Sequence, residues 1–268
     1  MYAKTFGLAE LPFRITPDPR FLWYSAQHQT AKEKILYHLT QSVGPIYLLA
    51  DIGTGKTTLA KRIIEELSVD KRYKIVFAPS PNLKTTNAFL RFIMDEYGVK
   101  TERSYEKSLK NFQAFLIEQR KKGISPVLLV DEAQNMSRDM LVLIQHLFNF
   151  STNTEFLIQM ALFAQLDFQP KLDRLPSLLS RLNLAKLKPL NLDETKDMMQ
   201  FRWTVAGGQK MPFSDEAIVE IFRITGGVPR SIVKVAHESL IRAAVDGTKH
   251  VDKDTVMSAW MDITVERT

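Results

Sequence analysis

Residues 50–58 combine glycine, lysine and threonine at spacings that suit phosphate binding. They read Ala50-Asp51-Ile52-Gly53-Thr54-Gly55-Lys56-Thr57-Thr58 and lie between an apolar run and a helical pattern. Glycines let the backbone turn its N–H groups toward an anion, and the start of a helix adds a positive dipole end. Lys56 is expected to reach the β- and γ-phosphates, and the Thr57 hydroxyl to bind Mg²⁺. The sequence therefore predicts a triphosphate-binding loop, with 51–58 as its candidate contact residues.

One position departs from the usual phosphate-loop pattern, which begins with glycine. Ala50 stands there instead. Alanine fits that position if its backbone φ is negative, because its Cβ then meets no steric conflict. Alanine at this position can change the geometry of the loop or its affinity for a phosphate.

Two carboxylates follow a later apolar run. Residues 127–130 have the pattern of a strand buried on both faces, and Asp131 and Glu132 come directly after them. Ligands of open α/β sheets bind at the carboxyl ends of the strands. Asp131 is therefore expected to hold Mg²⁺ through water, and Glu132 to polarise an attacking water molecule. The alternative is a solvated strand end that is acidic by chance, which the lysine of the phosphate loop in the same predicted sheet makes less attractive.

Apolar runs alternate with helical patterns up to residue 190. The runs that indicate buried strands are 46–49, 75–78, 127–130, 156–163 and, more weakly, 184–187. The helical patterns cover 28–42, 57–67, 84–97, 106–121 and 137–149. Strands that alternate with helices form parallel sheets with right-handed crossovers. The sequence thus predicts an α/β domain with a central five-stranded parallel sheet.

The regions on either side of this domain have different patterns. After residue 190 the strand signals stop, and helical patterns cover 193–206, 214–224, 229–246 and 252–262. Residues 1–27 are rich in aromatic residues and proline, which predicts an irregular arm packed on the core. The aromatic residues of this arm, which include Phe13, Phe21 and Tyr24, either form a wall for an adenine or pack in the core. The predicted organisation is an arm at 1–27, an α/β domain at 28–190 and an all-helical domain at 191–268.

Composition excludes several classes of protein. The chain of 268 residues has no cysteine, which excludes disulfides, a thiol nucleophile, iron–sulfur clusters and cysteine zinc sites. Its apolar runs are shorter than the ~20 residues of a membrane helix, and no secretory signal is visible. We therefore expect a cytoplasmic protein without a membrane partner. The net charge of +6 permits a polyanionic partner but also serves solubility.

Together the motifs resemble those of the AAA+ ATPases. The phosphate loop and the acidic pair are shared with many ATPases, while Gly226-Gly227-Val228-Pro229-Arg230 resembles the helical lid of this family. The arm resembles the ExeA-like branch, which is similar to the transposition regulators TnsC, TniB and MuB. The arm residues that carry this resemblance are Phe6-Gly7-Leu8, Pro12-Phe13, Thr16-Pro17-Asp18-Pro19-Arg20-Phe21-Leu22, Ser25 and His28. The resemblance covers nearly the whole chain and implies a P-loop NTPase core, a C-terminal helical lid, and ATP with Mg²⁺ as cofactors.

The resemblance also implies roles for three polar residues. Gln165 falls at sensor 1, where a polar side chain orients the attacking water, although Ala164 replaces the usual glycine before it. Arg181 falls at the arginine finger, which reaches the γ-phosphate of a neighbouring subunit, and Arg174 is a rival for that role. Arg230 falls at sensor 2 and would reach the γ-phosphate from the lid. A finger supplied in trans is worth roughly 10³–10⁵ in rate, so the resemblance implies hydrolysis in a homo-oligomer.

The first functional hypothesis is ATP-dependent DNA binding and target selection in transposition. ATP would assemble subunits into a ring or a helical filament on duplex DNA, with a transposase and a targeting protein as further partners. The candidate DNA-contacting residues are Lys100, Thr101, Arg103, Lys107 and Lys110. This region faces DNA in the TnsC-like relatives, and the alternative is a solvated helix face.

Two other hypotheses come from different classes of function. One is an ExeA-like ATPase of a secretion or envelope-assembly pathway. The other is a nucleotide-gated scaffold that binds ATP and a protein partner but turns over slowly. Hydrolysis measured with and without DNA separates a DNA-dependent ATPase from a scaffold, and association with inner membranes would favour the secretion role.

Overall fold

The computed structural model describes residues 2–16, 18–152 and 155–265. Pro17, which belongs to the segment that carries the resemblance, lies outside the described residues, as do Met1, 153–154 and 266–268. Within the described residues there are five strands: β1 Ile46–Ala50, β2 Tyr73–Ala78, β3 Ser125–Val130, β4 Gln159–Ala164 and β5 Asn183–Leu187. The same residues form twelve α-helices: α1 Tyr2–Phe6, α2 Ala26–Gln41, α3 Lys56–Ser68, α4 Thr86–Glu96, α5 Tyr105–Lys121, α6 Arg138–Phe148, α7 Gln169–Asp173, α8 Pro176–Leu179, α9 Leu192–Val205, α10 Asp215–Thr225, α11 Pro229–Val245 and α12 Lys253–Val265.

The five strands form one parallel sheet in the order β2-β3-β4-β1-β5, which confirms the predicted fold class. β1, β3 and β4 are buried along their whole length. Such strands read as continuous apolar runs because both faces of a parallel sheet are covered. β5 lies at an edge and exposes Lys186, which explains its weaker apolar pattern. Phe156, predicted to begin the fourth strand, instead forms an isolated bridge with Ser151.

The register of the sheet brings the carboxyl ends of three strands to one edge. Leu49 of β1 pairs with Ala164 of β4, and Val130 of β3 pairs with Leu162 of β4. The residues that directly follow β1, β3 and β4 therefore leave the sheet at the same edge, as the rule for ligand sites in α/β sheets requires.

The chain divides into two compact units. The sheet unit consists of Gln27–Asp51 and Leu59–Leu187, and the helical unit consists of Met1–Ala26, Ile52–Thr58 and Lys188–Thr268. The predicted domains placed the phosphate loop in the α/β domain. In the structure the loop groups with the helical unit, because Gly53 contacts the first turn of α11. Among the described residues, no helix combines the length and the apolar composition that crossing a bilayer requires.

The arm, which the sequence predicts to be an irregular segment packed on the core, contributes to the core of the helical unit. It begins with helix α1, and Tyr2, Phe13 and Phe21 are buried in one cluster with side chains of α9, α10 and α11. Phe13 meets Phe213 edge-on, with 6.0 Å between the ring centroids. At 0% and 3% exposure, Phe13 and Phe21 are core residues, which favours packing over an adenine wall for these two.

A single arginine of α9 holds the arm in place. The guanidinium of Arg202 donates to three carbonyl oxygens of the arm, those of Pro12 at 2.9 Å, Arg14 at 3.0 Å and Phe21 at 3.1 Å. It also lies 5.1 Å from the centre of the Phe21 ring. Burial lowers the pKa of Arg202 to about 10. The planar fork of arginine can reach three acceptors in one geometry, which the single ammonium of lysine cannot.

Replacing Arg202 with lysine is therefore expected to lower the free energy of unfolding by about 2 kcal/mol, the cost of losing hydrogen bonds from a half-buried charged donor. Urea denaturation measures this change, and trypsin cleavage after Arg14 is expected to become faster. Arg242→Lys is the matched control, because Arg242 of α11 is largely exposed and pairs only with Asp246 and Asp262 in the described chain. Equal stability of the two variants would contradict the role of Arg202.

In the sheet unit, a buried tyrosine fixes the start of the connection between α4 and α5. Tyr97 is 1% exposed, and its hydroxyl donates to the carbonyl oxygen of Val127 in β3 over 2.6 Å. Its ring packs against Phe112 and Phe115 of α5, with centroid distances of 5.8 and 5.7 Å. The segment 98–104, which carries part of the predicted DNA-contacting set, therefore begins from a rigid point.

Candidate functional site

The phosphate loop turns through two glycines in the left-handed region. Gly53 has φ 81° and Gly55 has φ 103°, conformations that residues with a Cβ rarely adopt. Lys56 follows as the first residue of α3 and is only 5% exposed. The loop thus brings a buried lysine and the N-terminus of a 13-residue helix to one place. Both features favour an anion, because the first N–H groups of a helix have no partner within that helix.

Ala50 fits its place in the loop pattern. It is the last residue of β1, pairs with Leu187 of β5 and is fully buried. Its φ is not among the positive ones of the described chain. The missing first glycine therefore causes no backbone strain, since strand conformation is open to any residue.

The remaining loop residues differ in exposure. Asp51 and Ile52 are exposed, Thr54 is fully buried, and Thr57 and Thr58 in the first turn of α3 are half-buried.

The structure places Arg230 beside the loop, within the helical unit. The backbone N–H of Arg230 donates to the carbonyl oxygen of Gly53 at 3.1 Å. A Cβ added to Gly53 would lie 2.8 Å from Cβ of Arg230 and 3.1 Å from Cγ1 of Val228. Glycine at position 53 is therefore required twice, by its positive φ and by this close approach. The side chain of Arg230 is exposed, and its first carbon atom lies next to the loop.

A tight turn of two glycines positions Arg230. Gly226 ends α10 with φ 60°, and Gly227 follows with φ 74°. The carbonyl oxygen of Gly227 accepts the N–H of Leu190 at 2.9 Å. Pro229 then starts α11 at a position where proline loses no helical hydrogen bond. The segment Gly226–Arg230, which resembles the family lid in the sequence, is thus the turn between α10 and α11 together with the first residues of α11.

The acidic pair follows β3 in the sheet unit. Asp131 is 1% exposed, and its N–H donates to the carbonyl oxygen of Ala78 at 2.8 Å. Its Oδ1 accepts the N–H of Glu132 at 2.9 Å. Glu132 has φ 51° and ψ 38°, a left-handed conformation that costs a residue with a Cβ roughly 1–2 kcal/mol. A strained backbone at an acidic residue is a typical feature of functional sites.

Two glutamines hold the carboxylate of Glu132. The side-chain amides of Gln134 and Gln165 both donate to Oε2 of Glu132, the latter at 3.1 Å. The N–H of Gln165 in turn donates to Oε1 of Gln134 at 3.1 Å. Among the described residues, no side chain donates a hydrogen bond to Oε1 of Glu132. The structure therefore brings together Glu132 and Gln165, two of the predicted site residues.

Gln134 and Lys171 are the members of this site that the sequence analysis missed. Gln134 is 6% exposed, and Lys171 of α7 donates to the carbonyl oxygens of Gln134 and Met136, the latter at 3.2 Å. Lys171 thus fixes the short turn after the acidic pair. The available signal for Gln134 was a polar residue two positions after Glu132. Nothing in the local pattern marked Lys171, which lies in a different helix.

The two arginines considered for the finger lie in the sheet unit and are both exposed. Arg181, between α8 and β5, donates to Oδ1 of Asn149 at the end of α6. Arg174 ends α7. The exposure of both side chains leaves them accessible to another subunit, and the single chain does not decide between them.

The predicted DNA-contacting residues lie on one stretch of the sheet unit. Lys100, Arg103, Lys107 and Lys110 are exposed and Thr101 is half-buried. The described residues provide no ion pair to these four cations, although Glu102 and Glu106 are nearby in sequence. Its four cations outnumber its two glutamates, so the stretch carries a net positive charge.

A family model described as AAA domain matches residues 37–172, slightly more than half of the chain. Over 266 residues the chain is also 30% identical to General secretion pathway protein A of Aeromonas hydrophila. This match covers 97% of the chain and 48% of that protein, so the chain spans about half the length of this relative. The relative is an ExeA protein, which confirms the ExeA-like part of the predicted resemblance.

Solved structures share the fold at lower identity. The ORC1 protein of Aeropyrum pernix in complex with DNA has a TM-score of 0.68 and 17% identity, covering 94% of this chain and 69% of that one. The ORC of Drosophila bound to DNA has a TM-score of 0.67 and 18% identity, covering 91% and 64%. The RuvB Holliday junction branch migration motor of Thermotoga maritima has a TM-score of 0.58 and 17% identity, covering 88% and 68%.

These findings agree with the geometry described above. The matched family region contains the phosphate loop, the acidic pair and Gln165. The solved structures share the arrangement of a parallel sheet followed by helices. The chain belongs to the AAA domain family and has the P-loop α/β fold of the AAA+ ATPases.

Proposed function

We propose that this chain binds ATP together with Mg²⁺ and hydrolyses it. The observation that carries the proposal is the loop 52–58, in which two left-handed glycines precede a buried lysine at the start of a helix. The residues also fit the metal ion, because the Thr57 hydroxyl and the Asp131 carboxylate are oxygen ligands of the kind that Mg²⁺ prefers. When bound, the ion neutralises charge on the phosphate oxygens.

The side chains divide the work between charge stabilisation and water activation. Lys56 and Arg230 place positive charge at the terminal phosphates, where negative charge develops in the transition state. Glu132 accepts a hydrogen bond from the attacking water and polarises it. Gln134 and Gln165 hold Oε2 of that carboxylate, so Oε1 is the atom available to the water.

Replacing Lys56 with alanine tests nucleotide binding. We expect ATP affinity to fall about 100-fold, because truncating one partner of a buried charge pair costs 2–5 kcal/mol. Titration calorimetry measures the change, and Lys71→Ala, at an exposed position of the sheet unit, is the control. Unchanged affinity of the Lys56 variant would mean that the nucleotide binds elsewhere, and the proposal would fail.

We further propose that ATP assembles the chain into a homo-oligomer, a ring or a filament, on duplex DNA. Three observations support this: the net positive charge of 100–110, the rigid start of this stretch at Tyr97, and the solved structures of similar fold that are bound to DNA. In such an oligomer Arg181 would act as the finger on the neighbouring subunit's nucleotide, with Arg174 as the alternative. Target selection in transposition, with a transposase and a targeting protein, is the role we favour.

Replacing Arg103 and Lys107 with glutamine tests the DNA surface. Each phosphate contact contributes about 0.9 to the slope of log affinity against log salt, so we expect the slope to become shallower by about 2. Fluorescence anisotropy with a duplex oligonucleotide and a non-hydrolysable ATP analogue measures it. Lys71→Gln with Lys84→Gln removes the same charge from another exposed part of the sheet unit and should change the slope less. Identical slopes would place the DNA surface elsewhere.

A second candidate function is favoured by the 30% identity to General secretion pathway protein A: an ATPase of a secretion or envelope-assembly pathway. A slow nucleotide-gated scaffold is the third. Phosphate release with and without duplex DNA separates these functions from the first. Strong stimulation supports the DNA-dependent enzyme, tight ATP binding without turnover supports the scaffold, and hydrolysis indifferent to DNA with recovery in the inner-membrane fraction supports the secretion role.

A further inference from the structure

Lys171 of α7 holds the turn that follows β3. Its half-buried side chain donates to the backbone carbonyl oxygens of Gln134 and Met136, the latter at 3.2 Å. Among the described residues, no carboxylate forms an ion pair with this ammonium, so it is the two carbonyl oxygens that offset its partial loss of hydration. The charge of Lys171 is therefore directed at the turn 131–136, which contains both acceptors.

This turn holds Glu132 in a strained conformation. Its φ of 51° and ψ of 38° lie in the left-handed region, which is unfavourable for a residue with a Cβ. A short 3-10 helix, Ala133–Asn135, follows directly. The carbonyl groups at the end of a helix have no partner within it, and the ammonium of Lys171 supplies one from a different helix. Because a strained residue persists only where its surroundings fix it, Lys171 helps to keep Glu132 in place.

The helix that carries Lys171 is itself anchored in the sheet unit. The hydroxyl of Tyr47 in β1 donates to Oε1 of Gln169, the first residue of α7, at 3.1 Å. The ring of Tyr47 also meets Phe168 edge-on, with 6.4 Å between the centroids, and Phe168 and Leu172 are both fully buried. A side chain that starts from an anchored helix has a defined position, which is what a supporting residue of a functional site requires.

We propose that Lys171 is a positioning residue for hydrolysis, which keeps the carboxylate of Glu132 where it can polarise a water molecule. This inference rests on the proposed ATP hydrolysis, in which Glu132 has that role. The lysine acts through the backbone of the turn and through Gln134, whose side-chain amide donates to Oε2 of Glu132. A displacement of about 1 Å at a reacting group can slow a reaction about 100-fold. Loss of Lys171 should therefore affect the rate of the chemical step more than the affinity for ATP.

Hydrogen–deuterium exchange of the full chain without nucleotide tests the contact itself. Lys171→Met removes the donor and keeps the length of the side chain. We expect exchange in the peptides that cover 131–136 to become about tenfold faster, because losing a hydrogen bond from a charged donor favours local opening by at least that factor. Lys74→Met is the matched control, since Lys74 is also half-buried and donates to a backbone carbonyl elsewhere in the sheet unit, that of Tyr97 at 2.7 Å. Circular dichroism and melting temperature establish that each variant is folded.

Steady-state hydrolysis at one chain concentration separates positioning from binding. We expect kcat of Lys171→Met to fall about 10- to 100-fold, while the Kd for ATP from titration calorimetry stays within about twofold of the wild type. Lys171→Arg keeps a charged donor at this position, so its kcat should lie within about threefold of the wild type. Lys74→Met should keep both values.

The proposal is overturned if exchange at 131–136 is the same in Lys171→Met and the wild type. It is also overturned if exchange becomes faster and kcat does not fall, because Lys171 would then support the fold alone. A parallel loss of kcat and of ATP affinity would contradict it as well, since Lys171 would then act on the nucleotide itself. A wild-type chain that binds ATP and hydrolyses none would refute the proposed function and this inference with it, and that outcome is recognised from the wild type before any variant is compared.

Discussion

Replacing Glu132 with glutamine is expected to lower the rate of ATP hydrolysis at least about 100-fold, the usual contribution of a positioned general base. ATP binding should persist, because this substitution removes a proton acceptor and leaves the phosphate loop intact. The site should also keep its shape, since the amide oxygen of glutamine can still accept the bonds from Gln134 and Gln165. Phosphate release at saturating ATP measures the rate, and titration calorimetry measures binding.

A loss of ATP binding equal to the loss of rate would contradict the assigned role, because it would mean that Glu132 supports the loop and not the chemistry. Mixing the Glu132→Gln variant with an Arg181→Ala variant separates the two proposed roles further. If Arg181 acts on the neighbouring subunit, mixed oligomers contain sites with an intact glutamate and an intact finger, and hydrolysis recovers. A mixture containing Arg174→Ala in place of Arg181→Ala tests the rival arginine in the same way.

The second large effect is expected from replacing Gly227 with alanine. The new Cβ would lie 1.9 Å from the carbonyl oxygen of Leu190, a backbone atom that cannot move aside alone. The residue would also keep φ 74°, which disfavours any Cβ. We expect the free energy of unfolding to fall by about 3 kcal/mol from these two costs together. Denaturation in urea measures the change.

Gly226→Ala is the matched control for this substitution. Gly226 has nearly the same backbone conformation, with φ 60°, but an added Cβ there would meet no atom within 4 Å. Only the cost of holding alanine in the left-handed conformation, about 1 kcal/mol, should remain. If the two variants unfold at the same denaturant concentration, the close contact between Gly227 and Leu190 does not constrain the turn. Because this turn starts α11, Gly227→Ala should also weaken ATP binding through Arg230.

Most secondary structure could be predicted because its signals are local. The helix predicted over 106–121 is Tyr105–Lys121, and the one predicted over 229–246 is Pro229–Val245. The pattern of burial along a helix or strand repeats within a few residues, so a short window carries the signal. The fourth strand was placed too early, because Leu157 and Ile158 are buried without belonging to the strand, which begins at Gln159.

The arm and its anchor illustrate what local patterns omit. Proline and aromatic residues indicated an irregular segment but not the surface that buries it. That surface is formed by α9, α10 and α11, and Arg202 reaches carbonyl oxygens that lie 181, 188 and 190 positions earlier in the chain. Along the sequence, Arg202 looks like any charged residue of a helix. Its burial and its three acceptors exist only once the chain has folded.

The sequence alone indicated the kind of chemistry, because a phosphate-binding loop needs glycine, lysine and threonine at short fixed distances along the backbone. The strand before Asp131 and Glu132 was also visible, because a strand buried on both faces is a continuous apolar run in the sequence. Tertiary structure alone decided which side chains share an acceptor, as Gln134 and Gln165 share Oε2 of Glu132. It also decided that Gly53 lies against Arg230 and that Lys171 holds the turn after β3. These contacts join residues from distant segments, and no spacing along the chain encodes a distance in space.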